Sequence, residues 1–152
     1  GMFEKDASMK KTAISESFQK IYRPLKDKYQ NRIHYLGVVK GREKVKLLYE
    51  SDIFVLPTWH PSEAYPISII EAMRTGNAIV TTNHNFLSAI VKPENGIIVN
   101  PKSSDEIACA IEALLKDRKQ LRRIQQYNRT YAKETYNPET FIDTIRGVIL
   151  NF

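Results

Sequence analysis

The sequence has few of the residues that bind small folds together from outside the core. It holds one cysteine, Cys109, in 152 residues, which excludes a disulfide within the chain. The neighbours Ile107, Ala108, Ala110 and Ile111 mark that thiol as a small packed residue. The three histidines, His34, His60 and His84, stand singly, without the close spacing of a zinc site, so no metal is expected. Long hydrophobic runs are missing too. Stretches such as Ile53 to Pro57 and Ile97 to Val99 fall far below the roughly 20 residues of a membrane-spanning helix. No charged-then-apolar signal segment opens the chain, which sets the expectation of a cytoplasmic protein. Internal repeats and low-complexity segments are absent, and the opening Gly1-Met2 reads as a tag remnant ahead of an initiator.

What remains is ordinary for one soluble domain: 42% of the residues are hydrophobic and 26% are charged, and the length suits a single core. The net charge of +6 comes entirely from the first third, where residues 1 to 50 hold 12 Lys and Arg against 6 Asp and Glu, while the rest is balanced at 11 against 11. These cations are mixed with apolar residues at helical spacing, so they read as solvated helix faces and not as a nucleic-acid surface.

Along the chain the hydrophobic period changes repeatedly. Residues 8 to 29 carry Ile14, Phe18, Ile21 and Leu25 at spacings of three and four, which predicts an amphipathic helix broken or ended near Pro24. Arg32 to Leu36 alternates as a strand and closes on Gly37. A short helix follows over 42 to 50. Asp52-Ile-Phe-Val-Leu-Pro57 is a continuous apolar run of strand length, as expected of a strand covered on both faces of a parallel sheet. A helix over 67 to 75 suits Pro66 in its first turn and Gly76 just past its end. Strands are predicted at 78 to 82 and 96 to 100, with a short helix over 86 to 91 between them. A helix over 105 to 116 is capped by Ser103 or Ser104, since Ser103 and Glu106 have capping-box spacing. Helices over 118 to 134 and 138 to 150 complete the chain. Strands alternating with helices imply an α/β, doubly wound, Rossmann-like parallel sheet flanked by helices. Ligands of such sheets sit beyond the carboxyl ends of the strands, for example in the loop from Pro57 to Pro66.

That loop and its helix carry two glutamates, Glu63 and Glu71, with seven residues between them. On the helix, Ser68 and Glu71 lie three apart on one polar stripe of an otherwise apolar surface. A carboxylate there must be satisfied by hydrogen bonds or must face a polar cleft. Vicinal ribose hydroxyls are one suitable partner, and the free amides at the helix start, those of Ile67 and Ser68, favour a phosphate. The plain structural alternative has equal standing on chemistry alone: Glu63 favours the helix N-terminus electrostatically, and Glu71 pairs with a surface lysine or arginine.

Glu63 to Glu71 resembles the Glu-x7-Glu motif of retaining GT-B glycosyltransferases of the family 4, group 1 type. The surroundings are similar in order and spacing: Ser51 to Pro57, Glu71-Ala-Met73, Gly76 before Ala78 to Thr82, and Gly96 to Pro101 ahead of a helix. The strand from Ile33 to Gly37 also looks like the family's strand that ends in Leu-Gly. The resemblance runs from about residue 32 to the end. It implies an N-terminal helical segment over 1–31 and, over 32–152, part of the C-terminal nucleotide-sugar-binding domain of a GT-B fold with its first strands missing. The roles implied are Glu71 on the ribose hydroxyls and Glu63, the catalytic-site residue, on the donor sugar hydroxyls as a positioning group rather than a nucleophile. The backbone of Ala64, Tyr65, Pro66, Ile67 and Ser68 would hold sugar and diphosphate, and the base would lie near Gly37 and Val38.

The resemblance further implies transfer of a sugar from a UDP- or GDP-sugar to an acceptor hydroxyl, with retention and with no obligatory metal or other cofactor, in polysaccharide or glycoconjugate synthesis. The acceptor, a sugar or lipid-linked sugar, would be met through an N-terminal domain that this sequence does not contain. The full-length protein would then work in the cytoplasm or at the inner membrane surface. Three departures stand out. Ala64-Tyr65-Pro66 replaces the usual Gly-Phe-Gly, Asn83-His84-Asn85 replaces the usual Gly-Gly, and no Arg and Lys pair matches the family's diphosphate clamp. The isolated chain is therefore expected to be inactive in transfer. Two other readings are a non-catalytic α/β module whose open sheet edge favours self-association or a protein partner, and a GT-B sugar-nucleotide epimerase.

Overall fold

Three short runs of apolar residues, Ile53–Leu56 (β1), Ala78–Thr82 (β2) and Gly96–Val99 (β3), form a parallel sheet in the order β1-β2-β3. The computed structural model describes residues 11–63, 65–137, 139, 142 and 146, with the side chains of residues 11–15 and 31 outside that description. The helices are Lys11–Tyr29 (α1), Gly41–Glu50 (α2), Ile67–Thr75 (α3), Leu87–Ile90 (α4), Ser104–Lys116 (α5) and Arg118–Thr135 (α6). The central strand β2 is buried at all of its positions, which is why its sequence does not alternate between apolar and polar residues; its two threonines bond their hydroxyls to the Leu56 and Thr58 carbonyls.

Alternate side chains of each strand feed two cores, one on each face of the sheet. Ile79, with Phe54, Leu56 and Ile98, meets Ile69 and Met73 of α3 and Leu87 and Ile90 of α4. Ala78 and Val80, with Ile53, Val55, Ile97 and Val99, meet Ala110 and Leu114 of α5, while Cys109, expected to be packed, is exposed because it lies on the opposite side of that helix from its apolar stripe. Helix α6 serves both, with Leu121 and Ile124 in the second core and Ala132 in the first. The result is the doubly wound, Rossmann-like α/β layer structure that the period changes imply. Among the described residues, no helix is long and apolar enough to cross a membrane.

Asparagines lock α6 to the sheet. Asn77, Asn95 and Asn128 are fully buried. The Asn128 Nδ2 donates to the carbonyls of Asn77 at 2.7 Å and Asn95 at 2.9 Å, and its Oδ1 accepts from Asn95 Nδ2 at 2.7 Å. One amide thus reaches the backbone at the entries of β2 and β3, adding to the bond that the Asn95 carbonyl already accepts from the Ile79 N–H and giving the Asn77 carbonyl a buried donor.

The caps follow the sequence with one change. Gly76 closes α3 in the left-handed conformation, at φ 88°, and its N–H bonds to the Met73 carbonyl at 2.9 Å. Ser103 caps α5 by accepting from the Glu106 N–H at 3.3 Å. The reciprocal half of the capping box is redirected: the Glu106 carboxylate accepts from the Asn100 N–H at 2.8 Å and the Asn100 side chain at 2.9 Å. Those bonds, the backbone one foremost, hold the Glu106 carboxyl below the usual carboxylate range.

The chain groups into two compact units, Gly1–Glu43 and Lys44–Phe152. Two expectations for the first unit are corrected. Helix α1 runs through Pro24 to Tyr29 without ending there. Residues 33–36 are not a strand: Ile33 is extended, at φ −121° and ψ 118°, yet the segment joins no ladder among the described residues. The Tyr35 N–H instead bonds to the Tyr22 hydroxyl at 3.2 Å, and its ring packs on Phe18 with centroids 4.6 Å apart. An extended segment whose donor is taken by a side chain is not available to a neighbouring strand. The expected helix over 138–150 lies mostly outside the described residues; Glu139, Ile142 and Arg146 are helical.

Candidate functional site

The loops that leave the carboxyl ends of β1 and β2 lie over one end of the sheet, the end where parallel α/β folds receive ligands. The β1 exit runs from Pro57 to Pro66 and turns at His60 to Glu63, where the Glu63 N–H bonds to the His60 carbonyl at 3.0 Å. Glu63 is half-buried, and its carboxylate has no ion-pair or hydrogen-bond partner among the described residues. Ala64 lies outside the described residues. Tyr65 is exposed, and Pro66 is buried and stands at the N-cap of α3, one residue before the first helical turn expected for it. Its carbonyl accepts from the Ile69 N–H at 3.0 Å, which leaves the Ile67 and Ser68 amides among the free donors at the helix start.

Helix α3 buries Ile69, Ala72 and Met73. Ile67, expected on the apolar face, is 68% exposed at the rim of the loop. Ser68 and Glu71 are half-buried and share the polar stripe, with Glu71 roughly 6 Å along the axis from Ile67. The Glu71 Oε1 accepts from Lys44 Nζ at 2.6 Å. This is the partner that the plain structural alternative calls for, and sequence reasoning left it unassigned because it comes from 27 residues away. The side chains of the pair are 41% and 35% exposed, so it contributes about 1 kcal/mol or less.

Beside the pair opens a groove of about 710 Å³, walled by Val45, Leu48 and Tyr49 of α2 and by Glu71, Arg74, Arg129 and Lys133 of α3 and α6. With Lys44, it holds four cations against one carboxylate. Arg74 donates to the Tyr136 carbonyl at 3.1 Å, and Arg129 Nε to the Thr75 carbonyl at 3.3 Å. Apolar walls, an acceptor and surplus positive charge suit an organic anion.

An aromatic run supports the loop from the far end of α6. Tyr127 stacks on Tyr131, Tyr131 meets Tyr136 edge-on, and Tyr136 meets Tyr65 edge-on with centroids 6.5 Å apart. Burial, and after it a hydrogen bond with Tyr65, pushes the Tyr136 phenol well above its ordinary range.

Of the residues singled out in the sequence, the structure brings Glu63, Tyr65, Pro66, Ile67, Ser68 and Glu71 onto one loop and helix. Gly37 and Val38 belong to the first unit, where Gly37 adopts φ 65° and Val38 is exposed.

A family model described as glycosyl transferases group 1 matches residues 15–131. A Campylobacter jejuni N,N'-diacetylbacillosaminyl-diphospho-undecaprenol alpha-1,3-N-acetylgalactosaminyltransferase is 35% identical over 88 residues, covering 57% of this chain and 22% of that protein. An MMP alpha-(1->4)-mannosyltransferase of Mycolicibacterium hassiacum is 25% identical over 107 residues, 69% of this chain and 26% of that one. The chain thus spans about a quarter of the length of these relatives. Among solved structures, the Anabaena HepE protein in complex with UDP superposes with a TM-score of 0.77 at 22% identity, covering 91% of this chain and 37% of that one. Sucrose-phosphate synthase from Thermosynechococcus elongatus gives 0.72 at 21% identity, with 96% and 36% covered. At such identities the structural likeness bears on the fold alone.

Proposed function

This chain belongs to the glycosyl transferases group 1 family, and on that premise we propose that it is the donor-binding part of an enzyme that moves a sugar from a nucleotide-sugar to an acceptor hydroxyl. The observation that carries this reading is the Glu63-to-Glu71 segment itself. One carboxylate, without a partner among the described residues, stands in the loop beyond a strand end, one stands on the following helix, and free helix amides lie between them.

In this reading Glu71 accepts from ribose hydroxyls. Lys44 holds Oε1 at 2.6 Å, and a carboxylate has acceptor sites enough to take a hydroxyl on Oε2 while that bond persists. Glu63 positions the donor sugar through its hydroxyls. The amides of Ile67 and Ser68 serve the diphosphate, and the assignment of the backbone from Ala64 through Ser68 to the sugar and diphosphate belongs to the same proposal. As the bond to the anomeric carbon breaks, negative charge grows on the departing diphosphate, and donors fixed in advance stabilise it without reorganisation. Retention of configuration, a reaction without an obligatory metal, and a base site near Gly37 and Val38 belong to the same proposal. So does an acceptor that is a sugar or lipid-linked sugar, a class in keeping with the diphospho-undecaprenol in the Campylobacter relative's name. So, too, does a place in the cytoplasm or at the inner membrane surface.

Titration calorimetry of the chain with UDP and with GDP tests the reading: one of the two is expected to bind with a Kd between about 10 μM and 1 mM. Heat from neither would contradict it. Incubation with labelled UDP- and GDP-sugars and sugar acceptors is expected to yield no transfer, because the acceptor side is supplied by other parts of the enzyme. Turnover by this chain alone would overturn that expectation.

A further inference from the structure

The last rung of the sheet between β1 and β2 pairs Leu56 with Thr81. Beyond it the two backbones part, but the connection does not stop. Side chains take over. The Thr82 hydroxyl donates to the Thr58 carbonyl. The His84 Nε2 donates to the His60 carbonyl at 2.9 Å, the only role a carbonyl partner leaves to that nitrogen. The Asn85 Nδ2 donates twice, to the Pro61 carbonyl at 3.2 Å and to the Glu63 carbonyl at 3.0 Å. Three side chains over four residues thus take up four carbonyls of the neighbouring loop.

The two sides of this contact differ in rigidity. Thr82 is fully buried in the central strand, and the segment runs into α4, whose Leu87 and Ile90 lie in the core. The Leu87 N–H bonds back to the His84 carbonyl at 3.1 Å. The loop it grips is mostly exposed from Pro57 to Ser62. Asn85 itself sits at φ 47°, a left-handed conformation that asparagine adopts more readily than most residues. A reacting group has to be held to within about 0.5 Å by supports that are themselves locked. The buried strand end supplies that support to an exposed loop.

We propose that Thr82, His84 and Asn85 clamp the loop that carries Glu63, and that Asn85, which bonds Glu63's own carbonyl, is the positioning residue for its carboxylate. The proposal rests on the donor-site reading of Glu63. In this chain the polar Asn83-His84-Asn85 segment does by side chains what bare backbone cannot do.

Asn85→Asp keeps size and tolerance of the left-handed backbone but removes both donations, and Asn85→Gly removes the side chain altogether. In both variants of the full chain, hydrogen exchange at the Glu63 amide is expected to quicken about tenfold while β2 keeps its protection. Unchanged exchange at Glu63 would overturn the clamp whatever Glu63 does. UDP-glucose and UDP then serve as paired probes. Affinity for UDP-glucose should fall about fivefold or more and affinity for UDP stay within about twofold, as Glu63→Gln alone should also show. If Glu63→Gln lowers the ratio and Asn85→Asp does not, Asn85 is not a positioning residue. If neither variant lowers it, the assigned role of Glu63 fails and the positioning falls with it.

Discussion

Replacing Gly96 with alanine is expected to destabilise the protein by about 4 kcal/mol or more, a large part of what a domain of this size has. Gly96 opens β3 and faces Ile79 of the central strand. A Cβ built at Gly96 would lie 1.8 Å from the Ile79 carbonyl oxygen, 2.6 Å from its carbonyl carbon and 2.7 Å from its nitrogen. These are backbone atoms, and they cannot swing aside as a side chain would. The Ile79 N–H already bonds to the Asn95 carbonyl at 3.0 Å, and β2 is paired on both sides. Relief therefore requires β3 to shift bodily, which would break its rungs and the Asn95 to Asn128 bonds together. A urea titration followed by circular dichroism reads the effect; with a slope of about 1–3 kcal/mol per molar urea, the midpoint should fall by more than a molar unit or vanish. A midpoint equal to that of the unsubstituted chain would show that β2 and β3 do not approach as described.

The second large effect concerns binding. Glu71→Ala is expected to weaken binding of whichever of UDP and GDP the chain takes about tenfold or more, which is about 1.4 kcal/mol, while leaving the melting behaviour nearly unchanged. The two halves of that statement separate the functional from the structural account. If Glu71 serves only as the partner of Lys44, its removal gives up one partly exposed ion pair, worth about 1 kcal/mol or less, and has no reason to touch nucleotide affinity. Lys44→Ala would then have the same small effect on melting, and neither variant would alter the titration. If Glu71 accepts ribose hydroxyls, the two variants part company, since only Glu71→Ala removes the acceptor.

Much of the scaffold was legible because each signal was local. The short β-branched and apolar segments at 53–56, 78–82 and 96–99 are bounded by turn residues and do not alternate, as interior strands do not. Gly76 is read correctly because a helix end needs a left-handed residue, and Ser103 because a helix start needs an acceptor. The segment at 33–36 misled because alternation reports only that two faces differ; a strand also needs a neighbour to accept its hydrogen bonds, and Tyr35 gives its donor to Tyr22. Pro24 misled in the opposite way, since α1 tolerates the one backbone bond that proline removes.

In the candidate site, the pairing of Glu63 with Glu71 was legible from their spacing, and the helix start between them from Pro66 and the apolar stripe. Lys44 was not, because its bond to Glu71 joins helices far apart in sequence. Nor was the grip of Asn85 on the Glu63 carbonyl. The sequence does mark Asn83-His84-Asn85 as a departure from the family's glycines, which says where to look but not which carbonyls those side chains reach.

The central claim, that Glu71 accepts the ribose hydroxyls of a nucleotide, is tested most directly by removing the hydroxyl and the carboxylate in turn. The nucleotide that binds, UDP or GDP, and its 2′-deoxy form would be titrated into the unsubstituted chain and into Glu71→Ala. The account predicts that the unsubstituted chain prefers the ribonucleotide by about tenfold and that Glu71→Ala has lost most of that preference, a coupling of about 1 kcal/mol. An equal preference in both proteins would contradict it.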